Sequence, residues 1–123
     1  MENNTNTLGR ESEKRAREFL EEKGYSILEV NWRYLKLEID IIARHSDTIV
    51  FVEVKFRKND EHGEPELFVN RKKQNFIIKA ANAYIESHNI QYESRFDIVA
   101  LSKKRNEIIH LEGAFFPTLV KAL

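Results

Sequence analysis

The 123-residue chain reads as an α/β protein: a central mixed β-sheet of about five strands flanked by helices, in the order αβββαββ. Three observations lead there. Residues 8–23 and 71–88 repeat apolar residues at helical spacing. Residues 38–43 and 48–55 are dense in β-branched and aromatic residues and are separated by the polar break His45-Ser46-Asp47, as in an antiparallel hairpin. Two further short apolar runs, residues 95–101 and 108–111, follow the second helix and flank the polar turn 103–106.

The elements follow in chain order. Residues 1–7 are polar and rich in Asn and Thr, and are expected to be a disordered N-terminus, leaving 8–123 as a single domain. A helix is predicted from about Leu8 to Lys23, with Gly24 placed to end it in a left-handed cap. Its stripe of Ala16, Phe19 and Leu20 extends back to Glu13 and Gly9, which sets Glu13 at the edge of the inward face. A partly exposed glutamate in a charged helix is the plain alternative. A first strand runs from Tyr25 to Arg33 and is expected to be irregular at residues 31–33. Residues 58–66, with Gly63 and Pro65, read as a polar, mobile loop. Asn70 is a suitable N-cap for the second helix, whose inward stripe is Ile77, Ala80, Ala81, Tyr84 and Ile85. The tail from Ala114 carries Phe115, Phe116, Leu119 and Val120, a set that either packs on the domain or forms a partner surface.

Composition narrows the class. Twenty basic and twenty acidic residues give zero net charge, so any anion-binding surface must come from local clustering. The absence of cysteine rules out disulfides and thiolate metal sites. Residues 1–9 lack the apolar core of a signal peptide and no run approaches a membrane span, so the expectation is a cytoplasmic protein with no membrane partner. His45, His62, His88 and His110 are scattered without zinc-ligand spacing and read as surface or turn residues.

The chemistry concentrates in the hairpin. Side chains alternate along a strand, so Glu38 and Asp40 share one face of its first strand, and Phe51, Glu53 and Lys55 share one face of its second. Val50, Val52 and Val54 make the other face apolar, so the strand is central and its charges project from a covered sheet. Buried charge is costly unless paired or metal-bound. Asp40 and Glu53 on adjacent strands suit a hard divalent cation. Lys55, two residues on, is placed to serve an attacking water or the charge of a phosphoryl transition state. Glu13 is a further oxygen donor if the first helix covers that part of the sheet. The structural alternative is an ion pair of Glu53 with Lys55 or Arg57. At the start of the second helix, Arg71, Lys72 and Lys73 oppose the helix dipole, which suits either an anionic partner or a solvated basic turn. Trp32, Arg33, Tyr34 and Lys36 form an aromatic and basic cluster before the hairpin, and Arg95 with Asp97 reads as a structural pair.

Asp40 followed by Glu53-Val54-Lys55 on a hairpin after an acidic helix resembles the core of the PD-(D/E)XK nuclease superfamily. Residues 8–111 as a whole resemble the YraN family of uncharacterised bacterial proteins. The matching residues are Gly9, Glu13 and Ala16; Gly24-Tyr25 and Ile27-Leu28; Asn31 and Arg33; residues 38–43; residues 51–55 with Arg57; Gly63; Lys73; Ala80 and Tyr84; and Arg95-Phe96-Asp97. Leu37 stands where that family usually has Gly, and Ile39 where the superfamily often has Pro. The resemblance implies a restriction endonuclease-like domain with Glu13, Asp40, Glu53 and Lys55 at its site. The expectation is a Mg²⁺- or Mn²⁺-dependent nuclease acting on DNA, including branched or structured DNA. Asp40 and Glu53 would hold the metal, and Arg57, Lys72, Lys73 and Gln74 would contact the nucleic acid. The resolvases that the family resembles act as dimers, so a homodimer is an option the residues leave open. Two alternatives stay beside this reading: a nucleic-acid-binding module of the same fold that does not cleave, and a protein-interaction domain using the apolar tail.

Overall fold

A computed structural model of the chain describes residues 4–57, 69–102 and 106–117. Seven elements follow one another: α1 (Asn4–Glu22), β1 (Ser26–Tyr34), β2 (Leu37–His45), β3 (Thr48–Arg57), α2 (Arg71–Ser87), β4 (Glu93–Ser102) and β5 (Glu107–Phe115). The five strands form one open sheet in sequence order, β1-β2-β3-β4-β5. All neighbours are antiparallel except β3 and β4, which are parallel and joined through α2. The mixed sheet and the order αβββαββ are those the sequence predicts.

The helix ends are built as the sequence specifies. Gly24 adopts φ +94°, and the Tyr25 and Gly24 N–H groups donate to the Leu20 and Glu21 carbonyls, a left-handed cap that closes α1. Asn70 caps α2 by accepting from the Lys73 N–H at 2.8 Å. Asn89, at φ 51°, closes the same helix with the cap geometry that Gly24 provides for α1. At its start α1 differs from expectation: it begins at Asn4, so residues 4–7 are helical. β5 runs on to Phe115, so Ala114 and Phe115 belong to the sheet. The remaining tail with Leu119 and Val120, the loop 58–66 and the turn residues 103–105 lie outside the described residues.

The sheet separates two cores. On one face α1 lays Ala16 and Leu20 over Tyr25, Ile41, Ala43, Val50, Val52, Val99 and Leu101. On the other, α2 lays Ile77, Ala80, Ala81 and Tyr84 over Ile39, Ile42, Ile49, Phe51, Phe96, Ile98 and Phe115. β3 is central, with Val50, Phe51 and Val52 fully buried, as its two apolar faces require.

Regular alternation fails at one place in β2. Ile41 and Ala43 face α1 and Ile42 faces α2, but Ile39 also joins the α2 side. The phase therefore slips at Asp40, and both Glu38 and Asp40 stay close enough to Glu13 of α1 to raise its carboxyl. The register of β1 sets Asn31 across from Asp40, between the pairs Val30–Ile41 and Trp32–Ile39. Asn31 has the left-handed φ of 53°, which locates the irregularity expected at residues 31–33. A second slip, between Ile27 and Glu29, bulges β1 at Leu28.

Candidate active site

The β2–β3 ladder ends at the pair Ile41–Val52. Continued pairing would set Asp40 opposite Glu53. Instead the Asp40 carboxylate takes over the lost ladder bond: its Oδ2 accepts from the Val54 N–H at 2.8 Å. The local slip thus serves two ends. It satisfies a main-chain donor that the splayed strands would orphan, and it swings the Asp40 carboxyl alongside that of Glu53, within hydrogen-bonding reach.

Two carboxyls are therefore held together in a covered place. Glu53 is 6% exposed. Burial, and then the charge of Glu53, push the Asp40 carboxyl up to about 7, against the pull of the Val54 N–H and of Lys73. Burial also raises Glu53, while Lys73, Lys55 and the Asp40 carboxyl lower it. Both carboxyls are therefore held above their ordinary values, because the positive charge nearby does not offset their burial. Lys73 supplies part of it, with Nζ 3.7 Å from Glu53 Oε2. Lys55 stands two residues from Glu53 on the same side of β3 and adds to the local positive field.

Glu13 reaches the neighbourhood from α1. Its Oε1 accepts from Asn31 Nδ2 at 3.0 Å, and burial followed by the charges of Asp40 and Glu38 raises its carboxyl above the ordinary value. Asn31 is the residue that sequence reasoning gave no role. Its position opposite Asp40 becomes visible only once the register is known. Glu13 does not complete a ligand cage: among the described residues no three acidic or histidine side chains converge as a metal-binding group.

The basic residues divide. Of the predicted contacts at the α2 start, only Lys73 joins the carboxyls. Gln74 turns inward and donates from Nε2 to the Val69 carbonyl at 2.9 Å, fixing the segment before the helix. Lys72 lies over the Phe76 ring, 5.9 Å from its centre. Arg57 is half-buried at the end of β3, in register with Ser102 of β4. Before the hairpin, Trp32 packs edge-on to Tyr84 at 5.1 Å and Arg33 pairs with Glu38 at 3.7 Å, so this cluster is mostly structural.

A second polar group sits on the α1 face of the sheet. Asp97 is fully buried and accepts from Arg95 Nε and Nη2 at 2.8 Å and from the Gly113 N–H at 3.0 Å. His110 Nε2 lies 2.7 Å from the same carboxylate, with a side chain only 3% exposed. Its other nitrogen, Nδ1, is 2.7 Å from Lys23 Nζ, so the ring accepts from the lysine and donates to Asp97. Arg95 also donates to the Tyr25 hydroxyl at 2.7 Å. The expected Arg95–Asp97 pair is present. The expectation of a surface or turn histidine fails for His110, whose burial is compensated by two hydrogen bonds. His45 stacks on Tyr25 at 4.3 Å and His88 on Tyr84 at 3.9 Å; His62 lies outside the described residues.

Fold and site together define an α/β protein with one open five-stranded sheet and two adjacent carboxyls, one buried and one half-buried, where two inner strands part. The model of the uncharacterised protein family UPF0102 matches residues 12–101. A UPF0102 protein of Flavobacterium psychrophilum is 47% identical over 113 residues, covering 90% of this chain and 95% of that relative. A UPF0102 protein of Thermodesulfovibrio yellowstonii is 48% identical over 109 residues, covering 89% of this chain and 96% of the relative. One of Christiangramia forsetii is 43% identical over 113 residues. The chain belongs to the UPF0102 family, which is the YraN family that its motifs resemble. The matched span includes Glu13, Asp40, Glu53, Lys55 and Lys73. No described helix is long and apolar enough to cross a membrane.

Proposed function

We propose that the chain is a metal-dependent phosphodiesterase of the PD-(D/E)XK kind, with a restriction endonuclease-like fold and DNA as its substrate. One observation carries the reading: Asp40 and Glu53 are brought together and under-compensated by a deliberate break in the β2–β3 ladder. A sheet built for stability alone would continue the pairing and exclude the second acid. The donor set fits a hard divalent cation, because both ligands are carboxylate oxygens and the cation would offset their charge. Mg²⁺ or Mn²⁺ held by Asp40 and Glu53 supplies Lewis-acid stabilisation of charge on a phosphoryl oxygen. With two protein ligands, the remaining positions are left to solvent and substrate, as is usual for Mg²⁺.

The other residues take roles that follow from their positions. Lys55 orients the attacking water and offsets charge that develops on the phosphoryl group. Lys73 holds Glu53 in its ionised form and attracts the backbone phosphate into the site. Asn31 fixes Glu13, whose raised carboxyl is suited to hold or give up a proton at the edge of the site.

The test is cleavage of fork, duplex and single-stranded DNA by the purified protein with Mg²⁺ or Mn²⁺. Wild type is expected to cut, and Asp40→Asn and Lys55→Ala to lose at least about a hundredfold in rate. A folded Asp40→Asn protein that cuts as fast as wild type overturns the proposal. DNA binding without cleavage in any arm favours the non-catalytic module instead.

A further inference from the structure

Between the β1–β2 turn and α2 lies an open groove of about 350 Å³, lined by Leu35, Lys36, Leu37, Phe76 and Lys79. Its floor is apolar and its rim carries lysines. Two of its apolar side chains are exposed without a folding reason: Phe76 at 41% and Leu35 at 75%. Leu35 is the more telling. It occupies the turn between β1 and β2 at φ 58°, a conformation that ordinarily selects Gly, Asn or Asp. A large apolar residue there gains neither burial nor backbone ease, and such outliers concentrate where a surface has work to do.

We infer that this groove receives an unpaired nucleobase of the DNA strand whose phosphate enters the Asp40–Glu53 site, a deepening that rests on the nuclease reading above. Position supports it. Leu37 opens β2 three residues before Asp40, roughly 10 Å along an extended strand. Phe76 follows Lys73 by about one turn of α2, roughly 4.5 Å along the axis. A strand with its phosphate near Lys73 therefore has its next base within reach of the groove. Charge supports it too. Lys36 and Lys79 stand on the rim and Lys72 lies over the Phe76 ring, so the surroundings favour a polyanion while the floor favours a flat apolar ring. A paired base keeps its faces in the duplex stack and cannot use this floor. The groove thus selects DNA with a locally unpaired strand over continuous duplex.

The test reads binding in EDTA, where hydrolysis plays no part. Two oligonucleotides carry the fluorescent base 2-aminopurine at the same position, unpaired in one and paired in the other. Wild type is expected to bind the unpaired form about tenfold more tightly, within the range that one stacked base provides, and to quench its fluorescence. Phe76→Ala and Leu35→Asn should each bring the two affinities within about twofold of one another. Asn accepts the left-handed turn, so Leu35→Asn removes the side chain without straining the fold. Equal wild-type affinities, failure to bind either DNA, or a preference that survives both substitutions overturns the inference. Asp40-dependent cleavage with no groove-dependent preference sinks the groove alone. A groove-dependent preference in a protein that never cuts sustains the groove and sinks the hydrolytic reading alone.

Discussion

Replacing Asp40 with Asn should make the protein more stable in alkaline solution, not less. The Asp40 carboxyl rises from 3.8 to about 7 in the folded chain because it is half-buried and lies beside Glu53. Between those values the folded state binds more protons than the unfolded one, so stability falls as pH rises and the full cost is present above pH 7. At ~1.36 kcal/mol for each tenfold change in acidity, the ceiling is about 4 kcal/mol. Lys73 and partial solvent access relieve some of it, and about 2 kcal/mol is the expected gain at pH 8 for Asp40→Asn. Asn keeps an oxygen that can accept from the Val54 N–H, so the ladder repair survives. The gain corresponds to a rise in Tm of about 6–12 °C for a domain of this size. Wild type and variant should converge below about pH 3, where Asp40 is neutral in both the folded and the unfolded state. Thermal and urea unfolding at the two pH values measures this directly. Mg²⁺ should stabilise wild type at pH 8, by about 2.7 kcal/mol at a hundredfold excess over its Kd, and leave the variant unmoved. An Asp40→Asn protein no more stable than wild type at pH 8 would refute the claim that the site stores electrostatic strain.

Two further substitutions test the surroundings. Lys73→Met removes the cation 3.7 Å from Glu53, so both carboxyls should rise further and the acid limb of any pH–activity profile should move to higher pH, by about one pH unit at most given the exposure of the lysine; an unmoved or lowered limb contradicts this. Asp97→Asn strips Arg95 of its buried counter-charge and His110 of a charged acceptor, and should cost about 3–5 kcal/mol in urea unfolding at pH 7. Burial alone would raise the Asp97 carboxyl, but Arg95, His110 and the Gly113 N–H together hold it below 3.8. Its contribution is therefore present above pH 3.8 and lost as pH falls through the lower folded value, and the deficit of the variant should shrink only in strong acid.

The mixed sheet, the chain order of its elements and both helices were legible because each rests on a short-range signal: apolar and β-branched density in residues 48–55, helical spacing in Ala16–Leu20 and Ile77–Ile85, and caps at Gly24 and Asn70. Asp40, Glu53 and Lys55 were legible because charge on a central strand contradicts burial. What the sequence hid depends on register. The phase slip at Asp40 cannot be seen without knowing that Asn31 lies opposite it and takes a positive φ. By plain alternation Glu38 and Asp40 look alike; in the fold one pairs with Arg33 at the surface and the other replaces a main-chain acceptor. Lys72, Lys73 and Gln74 look equivalent in a row, yet the turn of α2 sends one to a ring, one to Glu53 and one to a backbone carbonyl. Long-range pairing hid His110 in the same way, since nothing local to it announces Asp97, thirteen residues earlier, or Lys23. Leu37, where the resemblance leads one to expect Gly, opens β2 without strain of its own. In the fold it pairs with Tyr34 across a two-residue turn, and the left-handed strain falls on Leu35 instead.

Two aspartates on the inner strands make the distinction between structural and chemical charge concrete. Asp97 lies deeper than Asp40 and is surrounded by an arginine fork, an imidazole and a main-chain N–H, so every lone pair has a donor and its carboxyl is held down. Asp40 has one main-chain donor, a second acid at its side and a lysine that favours Glu53, and its carboxyl is pushed up. Burial opposes ionisation at both. The difference lies in whether the chain supplies the compensating charge. At Asp97 it does so completely, leaving no capacity for a ligand. At Asp40 the compensation stops short, beside a break in the sheet and within a few residues of an exposed basic and apolar groove. An acid left incomplete in that way, on an inner strand of the sheet, is placed to take compensating charge from outside. The break between β2 and β3, bordered by Glu13 of α1 and Lys73 of α2, is therefore the place to look for metal and nucleic acid, while the Asp97 cluster holds β4 and β5 together.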